Sequence, residues 1–305
     1  MSRYLLGRLA FALVTLLAVV TVTFFLVRLA PGGPFDGERR LPPEVEANLR
    51  AAYDLDKPVV VQYGRYLARL VRGDLGPSFR QKDFSVNDLI AMGLPISVGV
   101  GLTALTLALL LGVTGGTFAA LSRDGPRDRM LVLGATLGLA LPPIVVAPVL
   151  VLVFAVTLGW FPAGGYATAK HFVLPAATLA LPYAAAFMRL TRGSVAEVMQ
   201  RPHVVTARAK GLSPFRLVAR HVLPSALLPV VSFLGPAAAA LLAGSMVIEE
   251  VFSLPGLGRY FVQGALNRDY TLVTGAVIVY AALVLTFNLL VDLGYARLDP
   301  RIRHA

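Results

Sequence analysis

The chain has 305 residues, of which 56% are hydrophobic and only 15% are charged, and its mean hydropathy is positive. This composition is typical of integral membrane proteins and excludes an ordinary soluble domain. The formal net charge of +11 would favour nucleic acid binding in a soluble protein, but in a membrane protein it indicates topology, so we expect no nucleic acid partner. Cysteine is absent, which excludes disulfides and thiolate metal sites.

Long apolar stretches account for most of the sequence. A helix needs about 20 largely apolar residues to cross a hydrocarbon layer of about 30 Å. Six stretches meet this requirement, at residues 9–27, 96–121, 130–158, 172–188, 226–248 and 272–293. The first is longer than a signal-peptide core and no cleavage site follows it, so we interpret it as an uncleaved signal anchor. The sequence therefore predicts an all-α integral membrane fold, a single transmembrane domain (residues 1–305) with six transmembrane helices.

Positive charges indicate which loops face the cytoplasm, because Lys and Arg collect on that side of a membrane. They are concentrated before the first stretch, between the second and third, between the fourth and fifth, and after the sixth. With six spans, all four segments fall on one side, which predicts cytoplasmic termini and a cytoplasmic loop at residues 189–224. The loop at residues 31–94 has nine acidic and nine basic residues and is predicted to be extracytoplasmic.

The extracytoplasmic loop after the first helix is too long for a simple turn and shows a helical pattern of its own. Apolar residues recur at helical spacing in Leu41–Leu55 and again in Val59–Val71. Two interpretations of these amphipathic helices remain open. They cover the membrane bundle at its surface, or they bind a ligand or partner.

Ionisable side chains are scarce inside the predicted spans. The third, fourth and fifth carry none in their middles, and the only acid within the sixth, Asp292, lies near its cytoplasmic end. A proton or ion relay would need such residues near mid-membrane. The sequence also lacks a phosphate-binding loop, a His–Glu metal motif and a G-x-S-x-G elbow. It therefore predicts no catalytic residue, no metal site and no cofactor in this chain.

Glycines and prolines are frequent within the apolar stretches. Gly112 and Gly116, and likewise Gly134 and Gly138, are four residues apart, a spacing that lets membrane helices pack closely. Prolines are expected to break or bend their helices, which is tolerated where neighbouring helices or water satisfy the freed carbonyls. These prolines are Pro142, Pro143, Pro148, Pro175, Pro182, Pro229 and Pro236.

A short basic segment, Val204–Pro224, lies within the predicted cytoplasmic loop. His203–Lys210 is predicted to form a helix that ends at Gly211, which is expected to adopt the left-handed conformation. Ser213 and Pro214 then provide the N-cap and first residue of a second helix. The segment is therefore predicted to fold as a helical hairpin.

The purpose of this hairpin has two interpretations. A charged loop that only keeps its position in the cytoplasm would explain the arginines. It would not explain the small residues Ala207 and Ala209, which suit close docking in a groove of another protein. We therefore expect the first helix to dock through these alanines.

The hairpin resembles the cytoplasmic loop of permease subunits of ATP-binding-cassette importers. In that family Glu-Ala-Ala is followed after three residues by Gly and after nine more by Ile-x-Leu-Pro. The matching positions are Ala207, Gly211, Leu223 and Pro224, and the departing ones are Val205, Thr206 and His221. Further blocks are similar, in the same order, to the first permease subunit of oligopeptide importers. They are "FFLVRLAPGGPF", "LPPEVEANLRAAYDLDKP", "YLARLVRGDLGPSF", "GSMVIEEVFSLPGLGRYFVQGALNRDY" and "LDPRIR".

The resemblance implies a permease subunit of the bacterial inner membrane. It would form, with a second homologous permease subunit, the translocation path for oligopeptides. The implied partners are two ATPase subunits that hold ATP and Mg, an extracytoplasmic peptide-binding protein, and membrane lipid. The first hairpin helix would be the coupling helix that contacts an ATPase. The implied coupling residues are Val205, Thr206, Ala207, Arg208, Ala209, Lys210 and Gly211, with Leu223 and Pro224 closing the loop.

A second candidate site is the segment "FSLPGLGRY", residues 252–260, between the last two predicted spans. Pro255, Gly256 and Gly258 would allow a tight, irregular re-entrant turn at the mouth of the path. Such backbone is acceptable in a membrane protein where protein or water surrounds it. The segment is therefore a candidate outer gate.

Both the predicted cargo and the predicted class of transporter have alternatives. An importer of the same branch could carry dipeptides, nickel or peptide antibiotics, because similarity of the backbone does not determine cargo. A secondary transporter or channel without an ATPase is the alternative of a different class. It would show intramembrane carboxylates or an inverted hydropathy repeat, and neither is evident. A membrane enzyme or receptor ranks third.

Overall fold

Helices account for most of the residues that the computed structural model describes, which are 2–29, 54–81 and 83–298. Within these residues, β pairing is limited to one isolated antiparallel bridge between Pro77 and Ser85. The predicted all-α class is confirmed. Nearly all of the predicted helix Leu41–Leu55, and the tail after residue 298, lie outside the described residues.

The described helices belong to two units, the first from residues 1–97 and 255–283 and the second from residues 98–254 and 284–305. Two π-helical segments, Val151–Thr157 and Val218–Val222, and a 3-10 helix, Ala169–Phe172, lie between α-helices. The α-helices are α1 (Ser2–Leu29), α2 (Val59–Val71), α3 (Val86–Leu121), α4 (Pro126–Ala140), α5 (Pro143–Leu150), α6 (Val173–Val198), α7 (Pro202–Ala209), α8 (Pro214–Leu217), α9 (Leu223–Ala226), α10 (Leu228–Val251), α11 (Leu257–Leu266) and α12 (Tyr270–Leu298).

Several of these helices are long and apolar enough to cross a membrane. Four meet this test alone, Leu6–Leu29, Val86–Leu121, Ala169–Val198 and Tyr270–Val291. Two bent pairs meet it together, Pro126–Ala140 with Pro143–Thr157 at 106° and Pro214–Ala226 with Leu228–Leu242 at 56°. The described part of the chain thus holds four to six candidate spans, as an integral membrane protein requires.

The stretch predicted as the third span, residues 130–158, is not one continuous helix. α4 ends at Ala140, and the following helix points away at 106°. Leu141 and Pro142 have extended ψ angles of 117° and 136°, because each precedes a proline and is pushed out of the helical region. The predicted interruption at Pro142 and Pro143 is confirmed. Three other prolines, Pro148, Pro182 and Pro236, lie inside helices.

α3 begins at Val86, inside the stretch predicted as loop. Its first turn is closed by a pair of reciprocal hydrogen bonds: the Asp88 N–H donates to Ser85 Oγ at 3.2 Å, and the Ser85 N–H donates to Asp88 Oδ2 at 2.9 Å. This is a capping box, which satisfies backbone donors at a helix start. The helix therefore begins at polar residues that lie before the predicted apolar stretch, residues 96–121.

In the second unit, α3 packs closely against α6 through two glycines. A Cβ on Gly112 would lie 2.4 Å from a side-chain atom of α6, and a Cβ on Gly116 would lie 2.5 Å from a backbone oxygen of α6. The predicted close packing at this pair is confirmed. In the other pair, a Cβ on Gly138 would also meet α6, at 3.2 Å, whereas a Cβ on Gly134 would have no described atom of another element within 4 Å.

A buried carboxylate joins α4 to α6. Arg192 Nε and Nη2 donate to the two carboxylate oxygens of Asp128, at 2.7 and 2.8 Å. Asp128 is 3% exposed and also accepts the backbone N–H of Asp124 at 3.0 Å. Because a two-bond contact between arginine and carboxylate fixes orientation as well as distance, it holds the first turn of α4 against α6.

In the first unit, a second buried carboxylate fixes the segment after α2 to the start of α12. Asp269 is 1% exposed. Its Oδ2 accepts Ser78 Oγ at 2.5 Å and the Phe79 N–H at 3.1 Å, and its Oδ1 accepts Thr271 Oγ1 at 3.0 Å and the Leu272 N–H at 3.1 Å. One side chain thus satisfies donors from two segments that are far apart in sequence.

Candidate functional site

The basic segment folds as the predicted helical hairpin, which we call the basic hairpin (residues 202–217). Its first helix, α7, begins with Pro202 and ends before Lys210. Gly211 has φ +78° and its N–H donates to the Arg208 carbonyl at 3.0 Å. A positive φ is strained for residues with a Cβ, so glycine at this position allows the chain to reverse. Both the helix and its left-handed end are confirmed.

The second helix begins at Pro214 after Ser213, as predicted, although the Ser213 side chain makes no capping hydrogen bond. α8 continues into the π-helical segment Val218–Val222 and then into α9, whose first turn contains Pro224. Proline has no N–H to donate to the preceding turn, and the wider π turn falls immediately before it. Leu223 is partly buried against the hairpin core, whereas Pro224 is exposed.

The basic hairpin is held to the second unit by small apolar side chains. Val204 and Ala207 are 0% and 7% exposed. They pack in one apolar cluster with Val195, Val198, Leu217, Val222 and Ala226. The expectation that Ala207 faces a partner is therefore wrong, because its side chain points into its own chain. Ala209, the other alanine, is exposed as expected.

The exposed face of the basic hairpin carries both charge and apolar surface. Val205 is 53% exposed and Phe215 is 82% exposed. Together with Val205 and Phe215, four further exposed residues define what we call the exposed face of the basic hairpin: Thr206, Arg208, Ala209 and Lys210.

The candidate outer gate is more regular than predicted. Gly256 has φ −95° and ψ 179°, which is extended backbone, and it is the N-cap of α11. Gly258 is a buried residue inside that helix, so the predicted irregular turn does not include it. The Leu257 N–H donates to Ser97 Oγ at 2.8 Å, and this bond satisfies one donor of the first turn.

A glycine outside the predicted gate is what brings α11 close to α3. A Cβ on Gly93 would lie 2.9 Å from the Tyr260 ring and 3.0 Å from the Gly256 carbonyl carbon. Gly93 was not predicted as a packing residue because no second glycine lies four residues before or after it. The contact fixes the start of α11 against α3 within the first unit.

Glu249 is a second residue that the sequence reasoning missed. The predicted fifth span ended at residue 248, but α10 continues to Val251, and Glu249 within it is 0% exposed. Its neighbour Ile248 is also buried, at 2% exposed. Glu249 lies in the same helix as the candidate span Leu228–Leu242 but beyond its end. Because a buried carboxylate is costly, it marks a candidate functional position. Among the residues that the structure describes, no three His, Asp or Glu side chains group closely enough to hold a metal ion.

The chain matches two family models. The model "Binding-protein-dependent transport system inner membrane component" matches residues 112–304, which include the basic hairpin. The chain belongs to this family. A second model, "Binding-prot-dependent transport system membrane comp, N-term", matches residues 1–81. The family places the chain in the inner membrane as a transport component.

Similar proteins cover the whole length of this inner membrane component. The chain is 50% identical to the oligopeptide transport system permease protein OppB of Haemophilus influenzae and 48% identical to that of Salmonella typhimurium, each over 100% of both chains. It is 41% identical to the dipeptide transport system permease protein DppB of Bacillus subtilis, over 99% of this chain and 98% of the other. These relatives confirm the resemblance to permease subunits of ATP-binding-cassette importers.

Solved structures show that the fold is shared. An inward-facing conformation of the MetNI methionine ABC transporter matches with a TM-score of 0.57 at 17% identity, over 69% of this chain and 96% of that chain. An amino acid ABC transporter with histidines matches with a TM-score of 0.55 at 19% identity, over 69% of this chain and 94% of that chain. As a class, such importer permeases work with ATPase and substrate-binding partners.

Proposed function

We propose that the chain is the permease subunit through which an ATP-driven importer moves oligopeptides across the inner membrane. The observation that carries this proposal is the 50% identity, over the full length of both chains, with an oligopeptide permease. In the proposed assembly a second homologous permease completes the translocation path. Two ATPase subunits hold ATP and Mg, and an extracytoplasmic binding protein delivers the peptide.

The proposed topology has six spans and cytoplasmic termini. It counts each bent helix pair as one span, which adds two to the four helices that qualify alone. Arginine-rich segments then fall on the cytoplasmic side, in agreement with the charge rule. The segment between α1 and α3 lies outside.

Introduced cysteines test this topology, because the chain has no native cysteine. An impermeant thiol reagent added to intact cells should label Asp83→Cys and Asn267→Cys, both at exposed positions. Arg127→Cys and Gln200→Cys, also exposed, should react only after the membrane is opened. Labelling of position 127 from outside would overturn the arrangement.

The coupling surface in this proposal is the exposed face of the basic hairpin. Val205 and Phe215 supply apolar contact area, and Arg208 and Lys210 supply charge. Ala207 instead holds α7 on its own chain, and Gly211 sets the direction of α7 relative to α8. Movement of the ATPases would therefore be transmitted through α7 to the end of α6, where Val195 and Val198 pack against it.

The proposed outer gate is the turn at Pro255 and Gly256 together with the start of α11. The bond from Leu257 to Ser97 and the close approach at Gly93 support it, because both hold α11 in one position against α3. Gly93→Ala should displace Tyr260 and alter peptide uptake without preventing membrane insertion. Wild-type uptake in this variant would exclude a gate that depends on the α3–α11 contact.

Reconstitution tests the function as a whole. The chain is purified with the second permease, both ATPases and the binding protein, and is placed in vesicles. Uptake of a labelled oligopeptide should require ATP and all five components. Uptake without the ATPases would instead support a secondary transporter or channel.

Dipeptide import is the second candidate function, because a dipeptide permease is 41% identical over nearly the whole chain. Competition between labelled oligopeptides and unlabelled dipeptides distinguishes the two candidates. The main proposal expects longer peptides to compete far better than dipeptides. Equal or stronger competition by dipeptides would favour the second candidate.

A further inference from the structure

α2 has three distinct faces, of which one is buried and two are exposed. Its buried face carries Tyr66, 8% exposed, which packs with Tyr63, Leu67 and Leu70 against α1 and α12. Residues three and four apart share a helix face, which defines the other two. One exposed row is apolar, Val60, Gly64, Ala68 and Val71. The next row is basic, Arg65, Arg69 and Arg72.

The apolar row is strongly exposed. Val60 is 75% exposed and Val71 is 89% exposed. A surface helix of a soluble domain would place polar residues on such a row. The row is therefore suited to an apolar surrounding, which in a membrane protein is either lipid or another protein.

The contacts of α2 with α1 place this row at the depth of the hydrocarbon boundary. The Tyr63 hydroxyl is 2.6 Å from Thr21 Oγ1, and Phe24 of α1 packs on Tyr66. Thr21 lies eight residues before Leu29, the end of the candidate span, which is about 12 Å of helix. α2 thus lies beside the last turns of α1 and not beyond them.

The basic row lies at the level where the candidate spans end. Arg65 and Arg69 line a cavity of about 50 Å³ together with Arg28, in the last turn of α1, and Thr271, in the first turn of α12. Amphipathic helices at a membrane surface show this order, with the apolar face about 5–10 Å into the acyl boundary and arginines beside it at the headgroups.

We propose that α2 is an interfacial helix that binds the phosphate of an anionic phospholipid, in the leaflet where α1 ends. Val60, Ala68 and Val71 contact the acyl chains, and Arg69 and Arg72 bind the headgroup. Arg65 contributes less to headgroup binding, because its guanidinium already donates to Asp54 Oδ1 at 2.5 Å. Guanidinium groups bind phosphate through paired N–H donors, which matches this chemistry.

The test uses a fluorescent probe on the apolar row. Ala68→Cys, the only cysteine in the chain, is labelled with a bimane fluorophore in the full importer assembly, reconstituted in vesicles. Brominated phosphatidylglycerol and brominated phosphatidylcholine are then compared as quenchers at equal mole fractions. A second probe, at Val60→Cys, repeats the measurement on the same row and so controls for a local disturbance at position 68.

Both lipids should quench the probe, with the anionic lipid preferred. Arg69→Gln with Arg72→Gln should lower that preference by about fivefold for each arginine removed. The matched control, Arg127→Gln with Arg129→Gln, removes the same charge from exposed residues of α4 and should leave the preference unchanged.

Three outcomes would overturn the proposal. Equal quenching by the two lipids in the unaltered arginine background would exclude a headgroup site. Absence of quenching at both probes would mean that water or a partner protein covers the apolar row. An unchanged preference in the Arg69 and Arg72 double variant would assign the anionic lipid to other residues.

Discussion

The basic hairpin and α2 are both short arginine-bearing helical elements, but they are held in place by different means. α7 rests on its own chain through small side chains, Val204 and Ala207. α2 rests on α1 through aromatic rings, with the rings of Tyr63 and Tyr66 packed at a tilt against Phe24 at centroid distances of 5.2 and 5.4 Å. The hydroxyl of Tyr63 adds a hydrogen bond to this contact.

The difference indicates which changes each element tolerates. Small side chains bring α7 close to α6, so added volume or charge in that contact has no room. Large rings and buried hydrogen bonds hold the region around α2, so it is most sensitive to the loss of a polar partner. We therefore expect the hairpin to be destabilised by substitutions that add atoms. We expect the α2 region to be destabilised by substitutions that remove hydrogen bonds.

The largest effect is expected for Ala207→Glu. This change places an unpaired carboxylate in the apolar cluster around Val195 and Val198, at a cost on the order of 3–5 kcal/mol. We expect a lower thermal midpoint of the purified chain and rapid proteolysis of the hairpin. Ala209→Glu, two residues away and exposed, should keep the thermal midpoint and lose only stimulation of the ATPases. Equal thermal midpoints for the two variants would contradict the inward position of Ala207.

The second effect concerns Asp269→Asn in the first unit. The amide has one acceptor oxygen where the carboxylate has two, so the donors at Oδ1 or those at Oδ2 lose their acceptor and face an NH2 group, and we expect a loss of about 2–3 kcal/mol. This loss is measured as a lower thermal midpoint and as faster proteolysis of residues 74–81. Asp74→Asn is the matched control, because that exposed side chain accepts only the Gly76 N–H among the residues that the structure describes. Similar behaviour of the two variants would show that Asp269 does not fix the segment.

Gly211→Val should have an intermediate effect. Nothing lies within 4 Å of the added Cβ, so the cost comes from the positive φ and is about 1–2 kcal/mol. We expect normal membrane insertion with reduced coupling of ATP hydrolysis to peptide. Gly211→Asn, which tolerates the left-handed conformation, should retain most of the coupling. Full coupling in the valine variant would mean that the direction of α7 does not matter.

The smallest effect is the pH dependence of the contact at the start of α2. Hydrogen bonds from Lys57 and then Arg65 lower the pKa of the Asp54 carboxyl to about 2. Because this pKa is lowered on folding, the contribution is complete above about pH 4 and is lost as the pH falls from about 4 to about 2. The thermal midpoint of Asp54→Asn should therefore lie slightly below wild type at pH 7, and the difference should shrink below pH 4. A difference that grows on acidification would contradict this contact.

Local signals were sufficient to predict the hairpin and the main helix break. Gly211, followed by Ser213 and Pro214, indicates a helix end and a helix start within a few residues, and both were found. The double proline at Pro142 and Pro143 acts in the same local way. Each of these features depends on backbone sterics, which are set by the residue itself and its neighbours.

The features that were missed depend on residues far apart in sequence. The inward position of Ala207 follows from its packing with Val195 and Val198 on a different helix. The start of α3 was missed because hydropathy treats Asp88 as a loop residue, although it forms a cap with Ser85. Glu249 was missed because the apolar pattern ends one residue earlier than the helix does.

The contact between Asp128 and Arg192 has a consequence for the order of events during synthesis. The two residues are 64 positions apart, so a ribosome that adds about 5–20 residues per second makes the arginine about 3–13 seconds after the carboxylate. During that delay, of the two groups that fix Asp128 in the finished protein, only the Asp124 N–H has been made. The first turn of α4 must therefore stay hydrated, or in the insertion machinery, until α6 arrives. Synthesis of Arg192 therefore sets the earliest moment at which this ion pair can fix α4 against α6.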